Sequence, residues 1–264
     1  MKIATWNINS LRLRLPLLKE LINETQADVI CLQETKVPDP LFPFEDIIKL
    51  GYPHYYFKGM KSYNGVAIIS KHELIHVADT PDWCGRLDCR HIAAQLKTAS
   101  GPITIHNFYV PAGGDIPDAE TNPKFAHKLA FIEEATAWFE KNQPKRSILV
   151  GDLNTAPLEH DVWSHKQLLK VVCHTPPETE RHNQWEKQGF LDAMRLIYPE
   201  PQKLYTWWSY RNRDWKKSNR GRRLDHIWIS NDLKENLQAI EILAHARDWA
   251  PPSDHVPVIA ELTL

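Results

Sequence analysis

Apolar residues follow two rhythms along this chain. Short runs of strand length, several of them ending at a polar residue, are interrupted by longer stretches with helical spacing. MKIATWNIN reads as a first strand that stops at the polar Asn7 and Asn9. In LRLRLPLLKELINETQ, Leu11, Leu15, Leu18 and Ile22 recur at helical spacing. Pro16 fits a helix beginning near Leu15, because a first-turn proline forfeits no hydrogen bond. ADVICLQET is a mostly apolar strand with Glu34 at its C-terminal end, and YNGVAIISK is another, entered through the turn pair Asn64-Gly65. RHIAAQLKT and GPITIHNFYVP form a predicted hairpin around Ser100-Gly101, with Tyr109 closing the second strand.

NPKFAHKLAFIEEATAWFEKN is the longest predicted helix, with Phe125, Leu129, Ile132, Ala135 and Phe139 on one broad face. RSILVGDLNTAP is a buried-type strand that stops at Gly151-Asp152. A polar, tryptophan-containing segment runs from there to about residue 200, with one helix expected near FLDAMRLIY. LDHIWIS, QAIEILA and VPVIAEL are the late strands. No repeat or low-complexity linker divides the chain, so the pattern predicts a single α/β domain over residues 1–264.

The polar interruptions change that picture. Asn7, Glu34, Tyr109, Asp152 and Asn154 fall at or just past strand ends, and Asp225 and Asp254-His255 fall within or beside late strands. One carboxylate at a strand end is most often a cap or a turn residue. Several of them become a candidate site once adjacent strands bring them to one sheet edge.

Composition adds limits. The formal net charge of -1 marks no global attraction to nucleic acid. The four cysteines, Cys31, Cys84, Cys89 and Cys173, form no CxxC pair, which argues against a disulfide scaffold and for a reducing compartment. With no long apolar N-terminal stretch, a cytoplasmic protein without a membrane span is the expectation. The ten tryptophans exceed core needs, and several cluster around Trp207.

In order, TWNINSLRLRL, DVICLQETK, YNGVAIIS, NFYVP, GDLNTAP, YTWWSYR, GRRLDHIWIS and PSDHVPV span nearly the whole chain. Each is weak alone. As an ordered set they resemble the exonuclease III family of abasic-site endonucleases, within the endonuclease/exonuclease/phosphatase superfamily. The resemblance implies a four-layer α/β sandwich, with two central mixed β-sheets and helices outside, usually acting as a monomer.

It also implies roles. Glu34 would be a metal ligand for Mg²⁺, with Mn²⁺ a plausible substitute, since hard oxygen donors suit these ions. Asp254 would contribute to the metal environment, and Asn7 would support it. Asn9, aspartate in some relatives, would border the same site and contact substrate. Asp152 would orient or deprotonate the attacking water, and Asn154 would fix its geometry and contact the phosphate. His255 would contact the scissile phosphate, oriented by Asp225, and Tyr109 would donate its hydroxyl beside it. Lys36 would contact phosphate. His91 and His106 receive no chemistry and are expected to be structural or surface residues.

Between Arg211 and Arg223 the sequence RNRDWKKSNRGRR concentrates seven basic residues against one aspartate. Taken alone, such a run is usually a solvated surface. Beside the motifs it becomes a candidate phosphate-contacting stretch, in which Arg211 would meet the backbone or a groove. The resemblance places Trp207 and Leu224 as walls of a small pocket for a flipped-out abasic sugar, with Trp208 either beside them or in the core. Arg222 stands where some relatives have tryptophan. The short acidic stretch PAGGDIPDAETNP is a second departure.

The implied function is a Mg²⁺-dependent repair nuclease. It would incise double-stranded DNA 5' to abasic sites, with 3'-phosphodiesterase and 3'-5' exonuclease activity. The two departures leave an alternative open: an enzyme mainly processing blocked 3' ends, with weak abasic endonuclease activity.

Overall fold

Two six-stranded sheets face each other across an apolar core. The structure is a computed structural model and describes residues 1–212 and 214–264. The strands are β1 (Lys2–Asn7), β2 (Val29–Gln33), β3 (His54–Lys58), β4 (Val66–Ser70), β5 (Leu74–His76) and β6 (His91–Leu96). They continue with β7 (Ile103–Tyr109), β8 (Ser147–Asp152), β9 (Phe190–Asp192), β10 (Asp225–Ser230), β11 (Leu237–Ile242) and β12 (Val258–Leu262). The first sheet runs β11-β12-β1-β2-β4-β3 and the second β5-β6-β7-β8-β10-β9. Both are mixed: β1–β2 and β7–β8 are parallel, and the neighbouring pairs are antiparallel.

The near-continuous apolar runs follow from burial on both faces. In β2, Val29 and Cys31 enter the core between the sheets, whereas Ile30 and Leu32 turn outward. There they meet Leu17, Leu18 and Leu21 of helix α1 (Leu15–Thr25). Helix α2 (Phe44–Lys49) contributes the buried Ile47 to the same outer core. In β8, Ile148 and Val150 face the inter-sheet core, and Leu149 faces Phe131, Ile132 and Phe139 of helix α3 (Pro123–Lys141). Helices, sheet, sheet and helices therefore make the four layers. Among the described residues no helix is long and apolar enough to cross a membrane.

The predicted helix starts and strand ends stand close to the observed ones. Helix α1 begins at Leu15 with Pro16 in its first turn, and β6 and β7 pair as the predicted hairpin. Two readings need refinement. The helix expected near FLDAMRLIY is present but short: Phe190–Asp192 form β9, and Asp192 then caps the helix Ala193–Ile197 by accepting from the Met194 and Arg195 amides. The polar segment before it holds α4 (His165–Leu168) and an 11-residue helix, α5 (Pro176–Glu186). The buried residues of α5 are Glu178, His182 and Trp185, so no apolar period announced it.

One polar bridge crosses the core. Gln33 Nε2 donates to Asn107 Oδ1 at 2.7 Å, and Asn107 Nδ2 donates to the carbonyls of Leu32 and Ala67. It links β2 to β7 one residue before Glu34 and two before Tyr109, and so helps to fix how the sheets meet at the site.

Candidate active site

The topology sends the polar strand ends to one place. β1, β2, β7 and β8 present their C-terminal ends there, and β10 and β12, antiparallel to β8 and β1, present their N-terminal ends. The register sets Tyr109 beside Asp152 and Asp152 beside Asp225. Glu34, Lys36, Asn9 and Asn154 all have positive φ, between 47° and 52°. That region is costly for residues other than glycine, and such outliers collect where a site over-determines the backbone.

Asn7 is the hub. Its Nδ2 donates to Glu34 Oε1 and to Asp152 Oδ2, each at 2.9 Å, and lies 3.4 Å from His255 Nε2. Its oxygen accepts from the Asn9 amide at 3.1 Å. The side chain thus turns its nitrogen to the two carboxylates and links the expected metal ligand Glu34 to Asp152. Tyr109 donates its hydroxyl to Glu34 Oε1 at 2.9 Å. Burial, then the charges of Glu34 and Asp152, push the Tyr109 phenol well above its usual range, so it remains a donor.

Asp152 is fully buried and accepts from the Asn154 backbone at 2.9 Å and from Asn154 Nδ2 at 3.2 Å. Burial pushes its carboxyl up to about 7, against the opposing pull of His255. Asp225 Oδ2 accepts from His255 Nδ1 at 2.8 Å and from the Thr206 hydroxyl at 2.6 Å. Burial alone would lower the imidazole, but Asp225 and Asp152 outweigh it and raise His255 to about 10. Its Nε2 lies 3.7 Å from Asp152 Oδ2.

Asp254 accepts from Asn9 Nδ2 at 3.1 Å and from Trp207 Nε1 at 3.0 Å. Burial would raise its carboxyl, yet the His255 charge and these two donors hold it below the ordinary value. Lys36 sits among oxygens, with its Nζ 2.8 Å from Glu34 Oε2 and 2.6 Å from Asn9 Oδ1. Glu34 is likewise held low, the bonds from Asn7 and Lys36 prevailing over burial.

Which residues fit a metal ion follows from these contacts. Asp152, Asp225 and His255 offer ligand atoms within 4.8 Å of one another, but Asp225 Oδ2 and His255 Nδ1 are already engaged with each other in a hydrogen bond of 2.8 Å. Glu34 Oε2 and Asn9 Oδ1 are hard oxygens around an existing cation, the Lys36 ammonium, and Asp254 adjoins them by accepting from Asn9 Nδ2, so these three residues are the better match for a hard cation.

Sequence reasoning passed over several supports. Thr206 Oγ1 bonds both Asp225 Oδ2 and the amides of Leu224 and Asp225. Ser253 Oγ donates to the Asn7 carbonyl and accepts from the His255 amide. Arg14 donates to carbonyls of Ile8, Asn9, Pro251 and Pro252, clamping the two loops that carry Asn9 and Asp254. Thr206, Ser253 and Arg14 all lie inside quoted motifs, which was the available signal. His91 and His106 are buried and stacked with Phe108, and burial lowers both imidazoles, so they are core.

Trp207, Arg222 and Leu224 do come together. Trp207 pairs with Arg222 through backbone bonds, and the Arg222 guanidinium lies 5.0 Å over the Trp207 ring. Leu224 is buried with Ala156, Val162, Leu168 and Cys173, and Trp207 packs against that cluster. Trp208 points the other way, into the outer core beneath α1. The basic run is not one solvated patch. Arg223 is fully buried between Asp161 and Asp192, and Lys216 pairs with Asp248. Arg211, Lys217 and Arg220 are exposed, and Arg213 lies outside the described residues.

The sequence matches the Endonuclease/Exonuclease/phosphatase family over residues 4–255. It is 32% identical to exodeoxyribonuclease III of Haemophilus influenzae, covering 99% of both chains. An AP endonuclease from Archaeoglobus fulgidus superposes with a TM-score of 0.91 at 33% identity, covering 100% of each chain. The 3' phosphatase NExo from Neisseria, solved bound to a product DNA hairpin, gives a TM-score of 0.91 at 29% identity over 100% of each chain.

Proposed function

This chain belongs to the endonuclease/exonuclease/phosphatase family, and to its exonuclease III branch, and we propose that it is a Mg²⁺-dependent DNA repair nuclease. It incises double-stranded DNA 5' to abasic sites and also removes 3' blocking groups and terminal nucleotides. It works as a single domain and a monomer, in the cytoplasm. The observation that carries the reading is the unbroken buried chain Thr206–Asp225–His255 facing Asp152, Asn7, Glu34 and Tyr109.

Each member has a task in phosphodiester hydrolysis. Asp152, held near neutrality by burial, orients a water and takes its proton as the oxygen attacks phosphorus. Asn154 keeps that carboxylate in place through two bonds. His255, kept cationic by Asp225, meets the charge that grows on the phosphoryl oxygens, and Tyr109 adds a neutral donor. Glu34, Asn9 and Asp254 would hold Mg²⁺, which when bound supplies charge neutralisation at the phosphate and the leaving 3' oxygen. Trp207 and Leu224 wall the lesion pocket, where an abasic sugar fits without a base pair being broken. Lys36 and Arg211 meet phosphates.

A second reading, an enzyme mainly cleaning blocked 3' ends, is favoured by the Arg222 guanidinium lying across Trp207 at that pocket and by the likeness to a 3' phosphatase. Three end-labelled duplexes separate the readings: one with an internal abasic analogue, one with a 3'-phosphoglycolate at a nick, one with a recessed 3' end. Each is assayed with Mg²⁺, with EDTA and with Asp152→Asn. Fast metal-dependent internal incision, lost in the variant, supports the first reading. Fast 3' cleaning with a poor internal cut moves the function to the second, and silence on all three sinks both.

A further inference from the structure

Arg222 is a cation without an anion. Its Nη1 donates to the Val172 carbonyl at 3.4 Å and to Cys173 Sγ at 3.2 Å, and its Nε is buried with no partner. No carboxylate among the described residues pairs with it, whereas its neighbour Arg223 engages both Asp161 and Asp192. Burial raises the Cys173 thiol, so this contact supplies no negative charge. The seat is firm. The Cys173 amide donates to Glu178, whose carboxylate is ion-paired with the fully buried Lys128. Trp207 lies under the guanidinium and bonds Asp254 on its other side. The unspent donors thus stand one residue pair away from the acidic site.

We propose that Arg222 is a specificity-determining residue that reads a carboxylate on the group attached to the scissile phosphate, favouring 3' ends blocked by an acid-terminated remnant over uncharged ones. The inference rests on the nuclease reading above, in which the pocket beside Trp207 and Leu224 receives whatever hangs from the phosphate away from the 3' oxygen. For a glycolate remnant, water oxygen bonds to phosphorus, the bond from phosphorus to the 3' oxygen breaks, and that oxygen takes up a proton. The remnant leaves as phosphoglycolate with its carboxylate still paired. A planar guanidinium with free donors matches a carboxylate by two parallel bonds, and such charge-assisted pairs are stronger than neutral ones.

The test uses two nicked duplexes that differ only in that charge, a 3'-phosphoglycolate and a 3'-phospho-(2-hydroxyethyl) ester, with kcat/KM measured for each in Mg²⁺. The native protein is expected to favour the acid by about tenfold, in line with a charge-assisted bond. Arg222→Gln should bring the ratio to one or below, and Arg222→Lys should keep part of it. Because the ratio is taken within one protein, loss of folded material cancels, and the native ratio decides even if a variant is insoluble. A native ratio of one or less, or an unchanged ratio in Arg222→Gln, overturns the inference while leaving the nuclease reading intact. Cleavage of neither ester, nor of an abasic duplex, overturns both.

Discussion

Asp225 Oδ2 accepts a hydrogen bond from His255 Nδ1 at 2.8 Å and thereby turns Nε2 of the ring toward Asp152, 3.7 Å away. The histidine is held cationic, and the carboxylate opposite is held back from ionising, in the same buried space. Both shifts favour the protonated form, and together they set the first expectation. Activity needs Asp152 ionised and His255 protonated. It should rise with pH through about 7, where Asp152 loses its proton, and fall through about 10, where His255 does. In Asp225→Asn the largest support for the imidazolium is gone, so the upper limb should move toward neutrality and kcat should fall by about 10² or more. A pH profile of kcat for the two proteins checks it. An unmoved upper limb would mean that His255 is not the group titrating there.

Lys36 leads to a second expectation. Its ammonium lies between the Glu34 and Asn9 oxygens proposed to hold the divalent cation. Removing it in Lys36→Met takes away a competing positive charge and leaves the oxygens unneutralised. Mg²⁺ and Mn²⁺ should then bind severalfold more tightly in the absence of DNA, read as the metal concentration that half-saturates a thermal shift. Weaker or unchanged metal binding would place the metal elsewhere.

The legible part of this molecule is the part where polarity breaks an apolar rhythm. Asn7, Glu34, Tyr109 and Asp152 interrupt strands whose neighbours are buried on both faces, so their positions at strand ends were visible before any pairing was known. Pairing itself was not. The Arg223 network joins residues 62 and 31 positions apart, and an arginine at the end of a basic run gave no sign of it. Lys128 is completely buried in α3, and the apolar period of that helix does not mark it. Trp207 and Trp208 are adjacent and of one type. Only the bridges of Trp207 to Arg222 and His255 decide that the first faces the site and the second the core.

Lys128 also supplies a stability test. Its ammonium is ion-paired with Glu178 and donates to the Asn154 carbonyl at 2.6 Å, with no exposure of either charged side chain. Glu178 further accepts from the Thr175 hydroxyl at 2.6 Å. Removing one partner leaves the other charge buried and unpaired. Lys128→Met should therefore lower unfolding free energy by about 3–5 kcal/mol. Lys128→Met with Glu178→Gln should recover a large share of that. Urea denaturation of the three proteins measures both. Equal loss in the single and double variants would show that the pair's charge balance is not what the core depends on.

The last expectation concerns the residue just before the proposed base. Gly151 lies opposite Phe108 in the parallel β7–β8 pair, with φ of 142°. A Cβ there would sit 1.9 Å from the Phe108 carbonyl oxygen, an overlap with backbone that no side-chain rotation relieves. Gly151→Ala must push β7 and β8 apart or twist the chain out of a region only glycine occupies freely. Either response separates Tyr109 from Asp152, which the register sets side by side. Thermal denaturation should show a loss of about 3 kcal/mol or more. Any folded fraction should cut an abasic duplex far more slowly than native protein at equal folded concentration. A variant as stable and as active as the native chain would mean that this edge of the sheet is free to relax, and the rigid alignment of the hydroxyl and the carboxylate would no longer explain the site.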